Sequence, residues 1–552
     1  MKNDLKLFIV ESPTKINTLK KLFNSLGKDK IIFKATLGHI KDLPVDKIGV
    51  SLETFEPNLY YLPNKRRFLN ELKSLISKVK EVYLATDPDR EGEAISYHLK
   101  EYLKSLKPSL SFYRLELHEI TELGLKEALK NLRDLDENLY QSWKARRVCD
   151  RLIGYVISPF LSKNFKKPLS AGRVQSPALK LIVEREKEIE NFVPQKSYSL
   201  EILGEDCEGK VYKIELFTKK QLLKKQNKEE LLEIYEKYFE NREIFLFSLK
   251  EKILKKYPPL PLKTSSLIEL AGKSFFFSPK ETMKIAQKLY EEGYITYMRT
   301  DSVRVSPIAI KEAKTFIERV FGREYVGTKR RFKNSSFSQD AHECIRPTMV
   351  NLESVPLGQK ERALYELIRK VFLASQMSEA QYLERIYEFK TEDLPKELRL
   401  ILRGKKLFFD GFLALLGKEE KEEPFPDLKE GDRLKVKGAH LREHITQPPE
   451  RYTSHSLIKK MESLGIGRPS TYATMLDILF TRGYIVEEGK YLKPTELGKR
   501  VCEFLEKEVS PLMDYTFTAK LESALDEIAQ LKRDYYATVR EVFELLERYL
   551  SR

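Results

Sequence analysis

Two apolar runs, each ending in a polar turn and then a helical pattern, constrain this chain more than any other feature. Leu5-Lys6-Leu7-Phe8-Ile9-Val10 reads as a buried strand, Glu11-Ser12-Pro13-Thr14 as a turn with helix-capping chemistry, and a helical pattern starts near Lys15. Glu81-Val82-Tyr83-Leu84-Ala85-Thr86 is a second strand of the same kind. It opens into Asp87-Pro88-Asp89-Arg90-Glu91-Gly92-Glu93 and then into the helical run Ala94-Ile95-Ser96-Tyr97-His98-Leu99. Strands that each feed a helix predict a parallel α/β sheet over about the first 140 residues.

The carboxyl ends of such strands face one crevice, so Glu11, Asp87, Asp89 and Glu91 can converge there. Alternate spacing along an extended stretch would set Asp87, Asp89 and Glu91 on one side of it. Hard oxygen ligands grouped this way suit Mg²⁺. Beside phosphate, clustered carboxylates need a cation or a proton to neutralise them. The competing reading is an ordinary helix start, with acidic residues favoured by the helix dipole.

Composition narrows the partners. The 552 residues suffice for three or four domains at roughly 150 residues each. Lys plus Arg number 99 against 83 Asp plus Glu, a formal charge of +16, which favours nucleic acid over an anionic membrane surface. A 41% hydrophobic share excludes a disordered tail. No apolar run approaches the roughly 18 residues of a membrane span, and the start Met1-Lys2-Asn3-Asp4-Leu5 lacks the apolar core of a signal peptide. Cys149, Cys207, Cys344 and Cys502 are scattered singly, which argues against a disulfide framework and against zinc. The expectation is a soluble, cytoplasmic, basic, multidomain protein.

Along the chain, Tyr140 to Glu190 is helical and basic, broken by the turn-like Lys167-Pro168-Leu169-Ser170-Ala171-Gly172-Arg173. Short alternating strands and a Lys/Glu-rich helix fill 196–257, and Tyr257-Pro258-Pro259-Leu260-Pro261 marks a boundary. A mostly helical segment runs to Gln376, strand patterns return around Leu398 to Leu416, and a helical region extends from Ser454 to the end. One β domain assembled from two separated chain pieces is therefore predicted. Phe275-Phe276-Phe277 reads as core rather than as a stacking platform.

Val10-Glu11-Ser12-Pro13-Thr14-Lys15, Gly38-His39-Ile40-Lys41-Asp42-Leu43-Pro44 and Ala85-Thr86-Asp87-Pro88-Asp89-Arg90-Glu91-Gly92-Glu93 resemble the Toprim domain of type IA DNA topoisomerases. Toprim folds also serve primases, nucleases and type II enzymes. The discriminating motif is Glu291-Glu292-Gly293-Tyr294-Ile295-Thr296-Tyr297-Met298-Arg299-Thr300-Asp301-Ser302, which is similar to the active-site tyrosine motif of the bacterial topoisomerase I branch. By that match Tyr297 is the nucleophile and Arg299 its cationic neighbour. A phenol with a pKa of about 10 needs positive charge or a base nearby to attack at neutral pH. Arg299 can stabilise charge on the phosphorus oxygens. Lys15 is the candidate donor of a proton to the leaving 3′-oxygen, with Glu11 positioning that exchange or binding metal. Ala271-Gly272-Lys273-Ser274 lacks the earlier glycine of a nucleotide-binding loop, so no ATP dependence is expected.

The resemblance spans nearly the whole chain. It implies DNA contacts from His39, Arg114, Arg146, Arg147, Asp150 and Tyr155, and from the loop Ser170, Ala171, Gly172, Arg173, Val174 and Gln175. Asp340-Ala341-His342-Glu343-Cys344-Ile345-Arg346-Pro347-Thr348 adds His342 and Arg346; Gly465-Ile466-Gly467-Arg468-Pro469-Ser470-Thr471-Tyr472-Ala473 and Arg482-Gly483-Tyr484 add Arg468, Thr471 and Arg482. Arginines would neutralise phosphates while Tyr155 or Tyr472 stacks on unpaired bases. Read without the family, each is an ordinary surface charge, a helix-ending glycine or a buried aromatic. Two departures, His118 where relatives usually carry Asn and Cys344 where Ala is common, are expected to lie off the chemistry. The Cys-rich ribbons or basic tail of many relatives are absent from this sequence.

What the resemblance implies is an α/β and mainly-α multidomain toroid. Its parts are a Toprim domain (1–140), a helical DNA-binding domain (141–195 and 445–552), a β arch (196–257 and 377–444) and a helical domain carrying Tyr297 (258–376). The implied activity is ATP-independent, Mg²⁺-dependent relaxation of underwound DNA by a monomer, through a 5′-phosphotyrosine on one strand. A topoisomerase III-like decatenase, a Toprim nuclease using metal-activated water and a non-catalytic basic DNA-binding protein are the alternatives.

Overall fold

In a computed structural model that describes residues 5–27, 31–219, 221–328, 342–417 and 422–550, the first two apolar runs lie side by side. Leu5–Val10 and Val79–Leu84 pair in parallel at the centre of a four-stranded sheet, flanked by Ile31–Ala35 and Ser111–Arg114, both also parallel. Alternation of side chains sends the first strand into two cores. Leu7 and Ile9 pack with Val82, Leu84, Ile95 and Leu99. Phe8 and Val10 face a second core that also contains Tyr290, Ile295 and Tyr297. The sheet is thus joined by apolar packing to the segment carrying the tyrosine motif.

Ser12 caps the helix Pro13–Ser25, its side chain accepting the Lys15 N–H, with Pro13 at the first turn, where a missing N–H costs nothing. The helix Glu137–Phe165 starts on an Asp136 cap and ends at Lys166 in the left-handed conformation. Val148, Cys149, Leu152, Ile153 and Val156 join it to Gln175–Glu190 and to the C-terminal helices in one core.

Strands from two distant pieces do share one antiparallel sheet. Lys196–Glu205 pairs with Arg433–Ile445, and Glu243–Lys256 with Ala380–Lys390. Leu398–Phe409 pairs with Ala380–Lys390 on one edge and Val211–Thr218 on the other, which closes the ladder on itself. Bulges at Leu246/Ser248, Gln381/Tyr382 and Val436/Gly438 supply the bending that closure needs.

Three local expectations change. The strand pattern expected to Leu416 stops at Phe409, and Leu413–Leu416 is a helical turn. The C-terminal helical region is broken by a hairpin, Ile485–Glu488 with Tyr491–Pro494, whose two-residue loop opens on Gly489 at φ 63°. Of the phenylalanine triplet Phe277 is core and Phe275 packs partly buried against it, but Phe276 ends its helix at φ 58° and is 86% exposed. No helix among the described residues is long and apolar enough to cross a membrane.

Candidate active site

The acidic turn is built by close backbone packing. Asp89 caps the helix Arg90–Leu106, its Oδ1 accepting the Gly92 N–H at 2.9 Å. A Cβ on Gly92 would lie 2.1 Å from the Asp87 carbonyl oxygen, so only glycine permits this turn. Arg114, 1% exposed, braces it from beneath by donating to the carbonyls of Leu84, Thr86 and Asp87 and to Glu93. Glu11 leaves the neighbouring strand and accepts the Asp87 N–H at 2.9 Å. Asp87 and the Lys15 ammonium form a buried ion pair.

The tyrosine arrives from 208 residues away. Tyr297 donates its phenol hydrogen to Asp89 Oδ2 at 2.6 Å, and Arg299 Nη1 stands 3.5 Å from the same oxygen. Its segment is fastened to the Toprim part by the Tyr297 N–H on the His118 carbonyl (2.9 Å), the Tyr290 hydroxyl on the Leu117 carbonyl (2.5 Å) and the Thr18 hydroxyl on the Glu291 carbonyl (2.8 Å). Gly293, at φ 83°, makes the turn into the motif; a Cβ there would meet the Ile120 oxygen at 2.4 Å. Tyr297 itself is only 2% exposed.

The electrostatics pull the buried groups in different directions. Burial, then the neighbouring Asp87, pushes the Glu11 carboxyl up to about 7, against the opposing pull of Lys15. Burial also acts to raise Asp87, but Lys15, Arg299 and Arg114 outweigh it and hold the group below the usual carboxylate range. For Lys15 the penalty of burial is overcome by Asp87, Tyr290 and Glu11, so the ammonium is held charged. Burial and then Asp89 and Asp87 raise the Tyr297 phenol well above its ordinary value, with Arg299 opposing. His342, whose ring centroid lies 5.7 Å from that of Tyr297, is pushed down to about 4 by burial and then by His118.

Not all the expected residues gather. Among the described residues no three acidic, His or Cys side chains form a metal-holding group. Asp87 is engaged by Lys15, Asp89 by Gly92 and Tyr297, and Glu11 by the Asp87 N–H, while the helix begins at Arg90, so Glu91 lies in its first turn rather than on an extended stretch with Asp87 and Asp89. Its carboxylate takes His39 and the Trp143 indole N–H, each at 2.8 Å, and burial's upward push is outweighed by His39, Arg146 and Trp143, leaving it at about 2.

Several arginines expected at the DNA are interior struts. Arg173 is buried on Asp150 and Glu522, Arg346 on Glu119 and Glu343, and Arg114 as above. Arg147 binds Asp42 at the rim of a groove of about 400 Å³, which His39, Trp143, Arg146, Asp150, Arg299 and Thr471 also line. Within the loop, Ala171 and Gln175 are buried, while Ser170, Gly172 and Val174 are half-buried. Arg482 is exposed. Tyr155 is 41% exposed and free to stack, but Tyr472, at 3%, belongs to the core. Asp340 and Ala341 lie outside the described residues.

The departures, too, sit closer than expected. His118 supplies the carbonyl that receives the Tyr297 N–H, its ring is 5.6 Å from that of His342, and the Cys344 carbonyl accepts the Thr296 hydroxyl. Sequence reasoning missed Trp143, Tyr290, Glu522 and Asp526; each acts through a long-range partner that no local pattern announces.

Comparison with known proteins converges on one family. The DNA topoisomerase family matches residues 134–540 and the Toprim domain family residues 6–120. DNA topoisomerase 1 of Aquifex aeolicus is 44% identical over 98% of both chains, and that of Thermotoga maritima 40% identical over 99% of this chain and 85% of its own. The solved structure of full-length topoisomerase I from Thermotoga maritima superposes with a TM-score of 0.84 at 39% identity, covering 98% of this chain and 90% of that one. A Toprim domain joined to a type IA core with a split β arch is therefore the architecture. The tyrosine motif and the acidic turn meet here as parts of one isomerase, and the chain belongs to the bacterial DNA topoisomerase I family, the type IA DNA topoisomerases.

Proposed function

We propose that the protein relaxes negatively supercoiled DNA without ATP, as a cytoplasmic, nucleoid-associated monomer that needs Mg²⁺ and no zinc, by cutting and resealing one strand through Tyr297. The observation that carries this reading is the 2.6 Å hydrogen bond from the Tyr297 phenol to Asp89, between segments 208 residues apart. A phenol whose own pKa is raised needs a base at the moment of attack, and Asp89 is in hydrogen-bond reach. The Tyr297 oxygen forms a bond to phosphorus as its proton passes to Asp89, and the bond from phosphorus to the 3′-oxygen breaks. Arg299 stabilises the charge on the phosphorus oxygens. The 3′-oxygen takes a proton from Lys15, the buried ammonium held charged beside Asp87, with Glu11 positioning that exchange. Resealing runs the same steps backwards, so one phosphoester is exchanged for another and superhelical strain drives the passage.

The residues present fit a divalent ion. Asp87 Oδ2 is buried with no hydrogen-bond partner, and Glu11 resists ionising in a crowd of carboxylates, which an added cation would relieve. Glu11, Asp87 and Asp89 would hold it, and Glu91 would join only by leaving His39 and Trp143. When bound, the ion supplies neutralising charge beside the phosphate. The groove lined by His39, Arg146, Arg147 and Thr471 is the proposed path of the strand, with Tyr155 exposed for stacking and with Ser170–Gln175, Arg482 and His342 alongside. The domain division 1–140, 141–195 with 445–552, 196–257 with 377–444, and 258–376 belongs to the same reading.

The test is adduct trapping on end-labelled single-stranded DNA. Wild-type protein should leave a 5′-phosphotyrosine on the peptide carrying Tyr297, and Tyr297→Phe should lose adduct and relaxation while keeping single-strand binding. Relaxation by Tyr297→Phe would eliminate the nucleophile. Nicks with free ends and no adduct would instead establish a Toprim nuclease.

A further inference from the structure

One carboxylate serves two arginines from distant parts of the chain. Asp526, in the helix Tyr515–Ala529, accepts Arg90 Nη2 on Oδ1 at 2.5 Å and Arg468 Nη2 on Oδ2 at 2.8 Å. Arg90 is 7% exposed and Arg468 6%. Arg90 still keeps a buried nitrogen, Nη1, without a hydrogen-bond partner, while Nε of Arg468 stands 3.8 Å from Glu522 Oε2. Both side chains line one cavity with Asp89, Arg146, Arg299 and His342, whose buried Nδ1 also has no hydrogen-bond partner.

A buried guanidinium donor without an acceptor is costly, and native interiors rarely leave one. Two carboxylates at this cavity are already taken up. Asp89 is committed to Gly92 and Tyr297, and Glu91 to His39 and Trp143. What is missing is an acceptor-rich anion. A guanidinium pinned along one edge by a carboxylate presents its other edge in a fixed direction, which suits the paired oxygens of a phosphodiester.

We propose that Arg90 is a phosphate-binding residue of the DNA site, gripping the phosphodiester next to the one that Tyr297 attacks, and that Asp526 is the positioning residue that aims it. The proposal rests on the reading of Tyr297 as nucleophile, because Arg90 follows Asp89 directly and shares its cavity. In the sequence Arg90 is merely a residue inside an acidic turn. Its role follows from a helix that begins 425 residues later, since Asp526 lies 436 positions from Arg90.

Binding of the full-length protein to a fluorescent single-stranded oligonucleotide, measured by anisotropy across a salt series, tests this. Each phosphate contact contributes about 0.7 to the slope of log affinity against log salt for a single strand. Arg90→Gln should flatten the slope by about that amount. Asp526→Asn should keep the slope and weaken binding several-fold, and its loss should shrink in combination with Arg90→Gln to the part owed to Arg468. A folded Arg90→Gln variant with unchanged slope and affinity overturns the proposal, leaving Arg90 an internal strut. Should that variant fail to fold, Arg90→Lys decides: it keeps the charge but not the two-edged geometry, so a several-fold loss at constant slope is expected, and unchanged affinity overturns the claim. Adduct formation by the wild type separates the two levels. Without an adduct the reading of Tyr297 falls; with one, and no Arg90 effect, only the present proposal does.

Discussion

Replacing Gly92 by alanine tests whether the acidic turn must keep its present shape. The added Cβ would stand 2.1 Å from the Asp87 carbonyl oxygen and 2.9 Å from the Asp87 carbonyl carbon and nitrogen, where ordinary contact begins near 3.4 Å. That oxygen cannot swing aside, because it accepts Arg114 Nη2 at 2.7 Å. The turn must therefore shift by about 1 Å, carrying Asp87 and Asp89 with it. Overpacking of this kind costs about 1–3 kcal/mol. A misplacement of about 1 Å in a reacting constellation costs on the order of 100-fold in rate. Single-turnover adduct formation on end-labelled DNA should fall by about that factor, while anisotropy shows single-strand binding retained. Gly154, inside the helix Glu137–Phe165, has nothing within 4 Å of its would-be Cβ. Gly154→Ala should leave the thermal midpoint unchanged or raise it, by up to about 1 kcal/mol of helix propensity. Wild-type adduct yield from a folded Gly92→Ala protein would refute the reasoning.

Glu11 gives a pH signature. Its folded value of about 7 lies above the ordinary carboxylate value of 4.5, so between the two the folded state holds the extra proton and stability falls as pH rises through that window. Glu11→Gln should flatten the decline in thermal midpoint between pH 5 and pH 8 (roughly the span of the shift); an identical decline in both proteins would show the group unshifted. Excess chelator should abolish relaxation but leave single-strand binding largely intact, and relaxation that persists in chelator would remove Mg²⁺ from the account.

What could be read in advance depended on how local its cause was. Leu5–Val10, the Ser12 cap and the acidic helix start are set by neighbours in sequence, and they appear as expected. Asp89 caps its helix with one oxygen on Gly92 and still holds the Tyr297 phenol with the other, so the cap does not exclude the role proposed for it. Glu91 was misdirected by a single boundary: once the helix starts at Arg90, the alternation of an extended stretch no longer applies. Arg114, Arg173, Arg346 and Arg468 announce charge but not destination. Their burial depends on Glu93, Glu522, Glu343 and Asp526, and all but the Arg346–Glu343 pair are far apart in sequence. Closure of the β ladder by Leu398–Phe409 against Val211–Thr218 has the same character, because register between strands so far apart leaves no local trace.

The burial of Tyr297 carries a consequence for how cutting is controlled. At 2% exposure its oxygen is reachable by a phosphate only if the segment around it parts from the Toprim sheet. That seam combines apolar packing of Val10, Leu117 and Ile120 against Leu289, Tyr290 and Ile295 with a few hydrogen bonds and the Arg346–Glu119 pair. Polar contacts of this sort contribute about 1 kcal/mol each, so the seam is strong in sum but can be opened if DNA contacts replace what is lost. On the proposed mechanism, parting of the seam takes the phenol off Asp89 while the strand enters, and reclosing brings the two back together for the attack. On that reading the contact that hides the phenol in the closed form is also the one that takes its proton, so a protein without DNA keeps that oxygen satisfied and out of water's reach.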